Sequence, residues 1–255
     1  MKKFIFATDF HYGFERRSGH KKPLHDEKAI AAMLKFAADF RPDVFILGGD
    51  VIDAGCISHH NSGKPGLTEG LRLIDDVAGA HKKIIQPIEE LKPSQMVYIT
   101  GNHCAWLDQL TDVMPALQGI VNLKALLKLD KWTVVPQGGV FNLGKLTFMH
   151  GDTVSGGEHI AKAAVINYER SVRFGHYHTF QTYTKNSPLD SKQAKTGIAV
   201  PCLCRKGPGY GKGKPNKWVN GFLWGYVAPD GSFNDYVSII HEGRFTGPTG
   251  KVYKG

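Results

Sequence analysis

Five short polar clusters combine carboxylate, imidazole and amide side chains, and most of them directly follow a run of apolar residues. The clusters read Asp9-Phe-His11, Gly49-Asp50-Val-Ile-Asp53, Gly101-Asn102-His103, His150-Gly-Asp152 and Gly175-His176-Tyr-His178. Imidazole nitrogen with carboxylate or amide oxygen, and without thiolate, suits Mn²⁺, Fe, Zn²⁺ or Ni²⁺ rather than Ca²⁺ or an iron–sulfur cluster. The clusters together predict a metal centre.

The spacing within two of the clusters predicts which side chains point together. Residues two positions apart lie on the same side of an extended segment. We therefore expect Asp9 to point with His11, and His176 with His178, each pair serving one metal or two neighbouring metals. Glycine lies next to the candidate ligands, where it allows sharp turns and close approach of the backbone.

The order of these motifs resembles that of the calcineurin-like metallophosphoesterase superfamily, over residues 9–178. The resemblance implies two divalent metal ions, with Mn²⁺ favoured and Fe, Zn²⁺ or Ni²⁺ open, and hydrolysis of phosphate esters by water that the metals activate. The first metal would be bound by Asp9, His11 and His178. The second metal would be bound by Asn102, His150 and His176, and Asp50 would bridge both metals.

The resemblance also implies roles close to the substrate. His103 matches the superfamily histidine that contacts the phosphoryl oxygen and protonates the leaving group, and Asn102 lies beside it. The next residue is Cys104, where much of the superfamily has Asp or Glu, and a thiol neither orients an imidazole nor favours its charged form well. We expect Asp53 to supply the missing acid and to be catalytic with His103. The alternatives are Asp108 as the acid and Asp53 as a buttress for a metal ligand.

The predicted substrate is a nucleotide or nucleic acid phosphodiester, or a broad range of phosphate diesters and monoesters. The chain of 255 residues carries a formal net charge of +9, which attracts polyanions. Basic residues with interleaved aromatic rings, which can hold single-stranded nucleic acid, are Arg16, Arg17, Lys21, Lys22, Arg205, Lys206, Lys212, Lys214 and Lys217, with Tyr12, Phe14, Tyr210 and Trp218. The residues expected to contact substrate are Asn102, His103, His59, His60 and Arg17. A small-molecule or protein phosphomonoesterase is the alternative, and a non-catalytic metal-binding scaffold is less favoured.

Further features bear on the setting of the protein. The N-terminal apolar run is too short for a signal peptide or a membrane span, so we expect a cytoplasmic protein without a membrane partner. The four scattered cysteines do not resemble a disulfide framework. The stretch Gly-Asn-His-x-x-Trp-Leu-Asp-Gln and the later Trp-x-x-Gly-Phe resemble phage and bacterial members of the superfamily. The oligomeric state stays open.

The elements that position these clusters alternate between strand and helix patterns in the first half of the chain. Strands are expected over 2–8, 43–47, 95–100, 133–135, 139–143, 146–149, 172–174, 198–201 and 221–227, and helices over 26–40, 69–91 and 158–168. We predict an α/β fold as a single domain over residues 1–255. The resemblance implies a four-layer αββα double β-sandwich of mixed sheets flanked by helices, in which the strands of 197–255 and a basic loop complete the second sheet.

Overall fold

The computed structural model describes residues 1–17, 19–189, 194–209 and 215–255, and its largest sheet has six strands. These strands are β1 (Lys2–Ala7), β4 (Val44–Leu47), β5 (Gln95–Ile99), β6 (Thr133–Val135), β12 (Asn220–Val227) and β13 (Phe233–Ile240). Across the sheet they follow the order β13-β12-β1-β4-β5-β6. Strands β1, β4, β5 and β6 are parallel, so their carboxyl ends lie at one edge. Strand β12 runs antiparallel to both of its neighbours.

A second sheet has five strands in the order β10-β11-β9-β8-β7. Its strands are β7 (Phe141–Leu143), β8 (Leu146–Met149), β9 (Ser171–Phe174), β10 (Gln181–Lys185) and β11 (Lys195–Ala199). Strands β8, β9 and β11 are parallel, which again brings carboxyl ends together. Two hairpins stand apart from both sheets, and they consist of β2 (Phe14–Arg17) with β3 (His20–Pro23) and β14 (Arg244–Thr246) with β15 (Val252–Lys254).

The helices lie outside the sheets. They are α1 (Glu27–Phe40), α2 (Pro65–Thr68), α3 (Leu73–Ala80), α4 (Gln86–Glu90), α5 (Asn102–Val113), α6 (Leu123–Leu126) and α7 (Ile160–Tyr168). Helix α1 begins where the Asp26 carboxylate accepts a hydrogen bond from the backbone N–H of Ala29, and it ends at the left-handed Arg41. A π-helix over His81–Ile85 joins α3 to α4. None of the helices in the described ranges is long and apolar enough to cross a membrane.

Three apolar cores separate four layers. Phe4 and Phe6 of β1 face the second sheet and pack with Phe148, whereas Ile5 and Ala7 of the same strand face the helices. This alternation follows from the two-residue period of a strand, which exposes both faces of a buried strand to apolar partners. Helix α7 covers the outer face of the second sheet through its own core. The layers confirm the predicted α/β class and the helix-flanked pair of mixed sheets.

Most expected elements lie within a few residues of their predicted positions, but the C-terminal region differs. The C-terminal strands β12 and β13 join the first sheet beside β1, whereas we expected residues 197–255 to complete the second sheet. Among the described strands that follow residue 194, β11 alone pairs in the second sheet. That expectation was wrong because β4 pairs with only one edge of β1. The other edge would be exposed, and the apolar strand β12 covers it along five residue pairs.

A buried ion pair ties the two sheets together. The Arg173 guanidinium of β9 binds the Asp235 carboxylate of β13 with two nitrogens, and it also donates to the Thr196 carbonyl. Arg173 is almost completely buried. Since a buried charge is costly without its partner, this pair fixes how one sheet sits on the other.

Candidate metal centre

The five polar clusters meet where the carboxyl ends of strands from both sheets converge. Asp9, Asp50 and Asn102 follow β1, β4 and β5 of the first sheet, while His150 and His176 follow β8 and β9 of the second. Hydrogen bonds cross between these loops: His150 Nδ1 donates to the Gly48 carbonyl over 2.9 Å, and the His176 backbone N–H donates to Asp9 Oδ2 over 2.9 Å. Residues far apart in sequence thus surround one crevice, as expected at the carboxyl edge of an α/β sheet.

One group of ligand atoms contains Asp9, His11 and His178. His178 Nε2 lies 3.2 Å from Asp9 Oδ1 and 3.2 Å from His11 Nε2. Asp9 Oδ2 accepts hydrogen bonds from the Thr8 hydroxyl and from the His176 backbone N–H, which holds the carboxylate in place. Three potential metal-binding atoms therefore face one another within 4.8 Å.

A second group of ligand atoms contains Asn102, His150 and His176. Asn102 Oδ1 lies 3.0 Å from His150 Nε2 and 3.0 Å from His176 Nδ1. Because His150 uses Nδ1 on the Gly48 carbonyl, its Nε2 is the nitrogen directed at this group. An amide oxygen and two imidazole nitrogens thus converge in the second group.

Asp50 lies between the two groups. Its Oδ2 is 3.3 Å from His150 Nε2 and 3.9 Å from His11 Nε2, so one oxygen reaches both sides. Its Oδ1 accepts a hydrogen bond from the His103 backbone N–H over 2.9 Å. Gly101 permits this approach, because a Cβ at that position would overlap the Asp50 carboxylate and backbone. The geometry is that of a carboxylate able to serve two cations.

Both carboxylates stay ionised despite complete burial. Burial acts to raise the pKa of Asp9, but the nearby His178 imidazole outweighs it and lowers that pKa to about 2. Burial opposes ionisation of Asp50 as well, yet His150, His103 and His11 together hold the pKa of Asp50 well below its ordinary value. The crevice therefore carries fixed negative charge.

The negative charge raises the pKa of two histidines, which are therefore protonated at neutral pH. Burial acts to lower the pKa of His11, but the hydrogen bond to Asp53 and the surrounding carboxylates raise it to about 9. In the same way Asp50 overcomes the burial of His150 and raises its pKa to about 10. Protons thus neutralise the crevice at the nitrogens where cations would otherwise bind.

The backbone is left-handed at five of the seven proposed ligands. The φ angles are +54° at Asp9, +45° at His11, +46° at Asp50, +67° at His176 and +57° at His178. Such angles are uncommon for residues other than glycine, and they are held here by hydrogen bonds between loops. Our expectation of extended segments at Asp9–His11 and His176–His178 was therefore wrong. His176 and His178 point into different groups, whereas Asp9 and His11 share one.

Three of the histidines have an outer partner on the nitrogen that faces away from the groups. His11 Nδ1 bonds Asp53 Oδ1 over 3.0 Å, and His150 uses the Gly48 carbonyl. His178 Nδ1 instead lies 3.7 Å from the Cys204 sulfur, which is buried. Outer partners fix the tautomer and orientation of a ligand histidine. The sequence pattern gave no sign of Cys204, because its proximity to His178 arises from a loop 26 residues further along the chain.

His103 is enclosed between His11 and Trp106. The ring centroids of His103 and Trp106 are 4.0 Å apart, and those of His103 and His11 are 4.5 Å apart. His103 Nδ1 donates to the Asp53 backbone carbonyl over 2.8 Å, and the Asp53 carboxylate lies 3.6 Å from the same nitrogen. Burial holds the pKa of His103 below its ordinary value.

Asp53, rather than Asp108 or Cys104, is the acid beside His103. Asp108 is exposed on α5, and the Cys104 sulfur points into the core, where it lies 3.1 Å from the Tyr98 hydroxyl. Because Asp53 Oδ1 also bonds His11, one carboxylate contacts both a candidate ligand and the candidate acid. Its position is that of a residue that orients these two histidines.

The residues expected to contact substrate are spread around the crevice. His59 and His60 are exposed in a 3₁₀ turn, and each ring centroid lies 6.1 Å from that of Trp106. They are thus separated from His103 by the indole. Arg17 ends β2, but its side chain lies outside the described part of the structure.

Several of the predicted basic residues are engaged in ion pairs. Arg16 pairs with Glu69, Lys21 with Asp75, Arg205 with Glu15 and Lys217 with Glu158. Among the interleaved aromatic residues, Tyr12 is buried and stacks on His25, and the Trp218 ring lies 4.2 Å from the His178 ring. Tyr210, Lys212 and Lys214 lie outside the described residues. Much of the local positive charge is therefore already paired.

Comparisons with known proteins match one family model and several solved structures. A family model described as calcineurin-like phosphoesterase matches residues 2–200. Vps29 of Chaetomium thermophilum is 10% identical, with 100% of this chain and 96% of that chain covered and a TM-score of 0.46. The nuclease MPE of Pseudomonas putida is 14% identical, with 99% and 87% covered and a TM-score of 0.41. A dimetal phosphatase of Danio rerio is 10% identical, with 92% and 98% covered and a TM-score of 0.45. No curated protein sequence matches the chain significantly.

Proposed function

Because the chain belongs to the calcineurin-like phosphoesterase family and is a metal-dependent phosphoester hydrolase, we propose that it hydrolyses phosphodiesters of nucleotides or nucleic acid. The observation that carries the proposal is the meeting of two ligand groups at one Asp50 oxygen. Two cations a few ångströms apart suit the in-line displacement of a phosphate ester. The narrower resemblance to phage and bacterial members stays a prediction.

The proposed ligands divide between two cations as the resemblance implies. Asp9, His11 and His178 would hold the first cation. Asn102, His150 and His176 would hold the second, with Asp50 shared. Since the two sheets supply ligands to the same centre, we also propose that residues 1–255 act as one domain.

A buried oxygen without a hydrogen bond supports this assignment. Asp9 Oδ1 is buried and accepts no hydrogen bond, although His178 Nε2 lies 3.2 Å away. A buried charged oxygen left in this state is costly unless another group binds it. A divalent cation would satisfy it, and the nitrogen and oxygen donors around it fit Mn²⁺, Fe, Zn²⁺ or Ni²⁺. We favour Mn²⁺ among these ions.

The side chains around the cations have separate tasks. Bound cations would polarise the phosphoryl oxygens and make a water molecule more acidic. Asp53 orients His11 through a hydrogen bond, and its backbone carbonyl fixes the His103 tautomer with the proton on Nδ1. His103 Nε2 is then the nitrogen that gives a proton to the leaving oxygen, after taking one up. Since burial lowers the pKa of His103, its protonated form is a stronger acid but a scarcer one at neutral pH.

The proposed role of His103 is tested by replacing it with Ala. We expect His103→Ala to keep both metal ions and to lose about 10²–10⁴-fold in turnover, as is typical for a general acid. Metal content by elemental analysis and initial rates on one diester would be measured on the same preparation. Loss of a metal ion would show that His103 holds the centre together instead.

The preference for diesters rests on charge, and it is tested with a substrate panel. The net charge of +9 favours polyanions, although many local basic residues are paired. Mn²⁺-loaded protein would be assayed with bis(p-nitrophenyl) phosphate, p-nitrophenyl phosphate, cyclic nucleotides, and single- and double-stranded DNA and RNA. Cleavage of diesters, with nucleic acid cleavage falling steeply as salt rises, is expected. Turnover of monoesters alone would favour a phosphomonoesterase, and metal uptake in calorimetry without turnover of any of these substrates would favour a non-catalytic metal-binding scaffold.

A further inference from the structure

A cavity of about 520 Å³ lies beside the proposed acid, and we refer to it as the Trp106 cavity. One wall is the face of α5 that carries Trp106, Gln109, Leu110 and Val113, and the other wall is formed within residues 56–68. Its size falls within the range of about 300–1,000 Å³ typical of small-molecule sites. None of the seven proposed metal ligands line it, so it is a space distinct from the metal centre.

The Trp106 cavity begins one helical turn from His103. Trp106 follows His103 by three residues on α5, and the two rings are in contact with centroids 4.0 Å apart. Gln109 and Val113 continue along the same helix, so the cavity extends from His103 by roughly 15 Å at 1.5 Å per residue. A group joined to the oxygen that His103 protonates can therefore reach the indole without crossing the metal centre.

The opposite wall is held in place before any ligand binds. The Asn61 amide donates to the Gly55 carbonyl over 2.8 Å, and the Ser58 hydroxyl accepts the His60 backbone N–H over 3.3 Å. Lys64 Nζ donates to the His60 carbonyl over 2.7 Å. These bonds present the His59 ring toward Trp106 at the entrance of the cavity.

The lining chemistry favours a planar, polar group that belongs to an anionic molecule. Trp106 and His59 supply aromatic surface, and hydroxyl and amide groups supply hydrogen-bonding partners. None of the described lining residues carries a carboxylate, and Lys64 adds a positive charge. The neighbouring cavity at Asp53 differs, because two carboxylates, those of Glu15 and Asp53, line it beside the single cation of Arg16. Of these two spaces, only the Trp106 cavity suits a segment of a phosphodiester.

We propose that the Trp106 cavity binds the leaving nucleoside of a nucleotide phosphodiester, with Trp106 and His59 in contact with the base. This inference rests on the proposed function and adds a specificity site to it. Hydrolysis forms a P–O bond from a water molecule, which gives up one proton to solvent. It breaks the ester bond, and the leaving nucleoside oxygen takes a proton from His103, which is protonated again from solvent. The nucleoside then departs from the cavity as an alcohol.

The experiment compares two diesters that differ only in the group entering the cavity. One is a dinucleoside monophosphate, and the other is the matching nucleotide with a methyl ester, tested as both the 3′ and the 5′ isomer. Cleavage of the methyl ester releases methanol, and cleavage of the dinucleoside releases the second nucleoside, so the same nucleotide is the phosphate product in both reactions. Both leaving groups are alkoxides, so the ratio of these two kcat/KM values measures recognition of the second nucleoside. Single-stranded DNA of ten residues would show whether the cavity serves a chain as well as a dinucleotide.

Wild-type protein is expected to prefer the dinucleoside by at least tenfold, because stacking of a base on an aromatic side chain contributes substantially to affinity. His59→Ala and Trp106→Leu should each reduce this ratio at least fivefold. The matched controls are His241→Ala, which removes an exposed histidine outside the cavity, and Trp132→Leu, which alters a buried indole elsewhere. Neither control should change the ratio more than twofold.

The outcomes separate this inference from the proposed function. If wild-type protein cleaves the methyl esters as well as the dinucleoside, or if His59→Ala leaves the ratio unchanged, the cavity does not bind the nucleoside and the diesterase activity still stands. If wild-type protein loaded with Mn²⁺ cleaves neither diester, both proposals fail. Should Trp106→Leu unfold, as judged by circular dichroism, the result with His59→Ala decides alone.

Discussion

Asp76 offers a quantitative test of the electrostatics behind the metal centre. Its side chain is 6% exposed, and burial, followed by the charge of Asp53, raises its pKa from 3.8 to about 8. Gly13 passes beside both carboxyls, where a Cβ would lie 2.8 Å from Asp53 Cβ and 3.0 Å from Asp76 Oδ2. The difference between these two pKa values corresponds to a free energy of at most about 6 kcal/mol.

The sign of the effect follows from proton linkage. Below about pH 4 the folded and unfolded chains both hold the Asp76 proton, and between about pH 4 and pH 8 only the folded chain does. Stability from this group is therefore lost by about 1.4 kcal/mol per pH unit as the pH rises through that interval. Asp76→Asn keeps an acceptor for the Ala54 backbone N–H and removes the titration.

We expect the free energy of unfolding of wild type to fall by about 3 kcal/mol relative to that of Asp76→Asn as the pH rises from 5 to 7. Urea unfolding of metal-free protein in the presence of a chelator measures this difference, and a slope of about 3 kcal/mol per M urea converts it to a midpoint shift of about 1 M. The control is Asp75→Asn, which removes the exposed neighbouring carboxylate that pairs with Lys21. A stability difference that is the same at both pH values would refute the argument that Asp76 is buried as a neutral acid.

Three further predictions concern the metal centre. Because the pKa of His11 is about 9 and that of His150 about 10, binding of two cations at pH 7 should release about two protons; calorimetric heats that do not change with buffer would contradict this. Cys204→Ala should weaken binding of the first cation about 10–100-fold, whereas Cys204→Ser should retain most of the affinity. Titration with Co²⁺, followed by its visible spectrum, measures both affinities. Equal affinity in the two variants would show that the thiol does not orient His178. Gly175→Ala should abolish one metal equivalent, because its Cβ would overlap the Asp9 carboxylate and the Thr8 hydroxyl; elemental analysis showing two equivalents would disprove the overlap.

The sequence predicts best the elements whose apolar residues are contiguous. Strands β1, β4 and β8 are short apolar runs, and the structure places them within two residues of the expected bounds. The hairpin of β2 and β3 was missed, because its Arg and Lys residues lack the apolar alternation of a half-buried strand. Helix α5 was missed for a similar reason, since it begins with the polar residues of the metal centre.

The residues of the candidate site also differ in how far the sequence predicts them. The seven proposed ligands could be identified from motif order, because each motif lies at a strand end. The contacts of Cys204, Trp106 and Asp76 could not, because each depends on which loops meet in the fold. The role of Asp53 lies between these cases, since the motif marks it and the tertiary structure shows that it touches both His11 and His103.

The left-handed backbone at five proposed ligands limits how far this centre can be transplanted. A motif such as Asp9-Phe-His11, placed in a flexible loop of another protein, would relax to the extended or helical conformations that most residues prefer. Binding a metal ion would then require each residue to adopt the left-handed conformation, at about 1–3 kcal/mol per residue, and the metal affinity would be lower by that free energy. Here hydrogen bonds formed during folding, such as the one from the Asp9 N–H to the Gly49 carbonyl, offset that free energy. A graft that copies the ligands alone should bind metal weakly, whereas one that carries the paired loops of both sheets should keep the affinity.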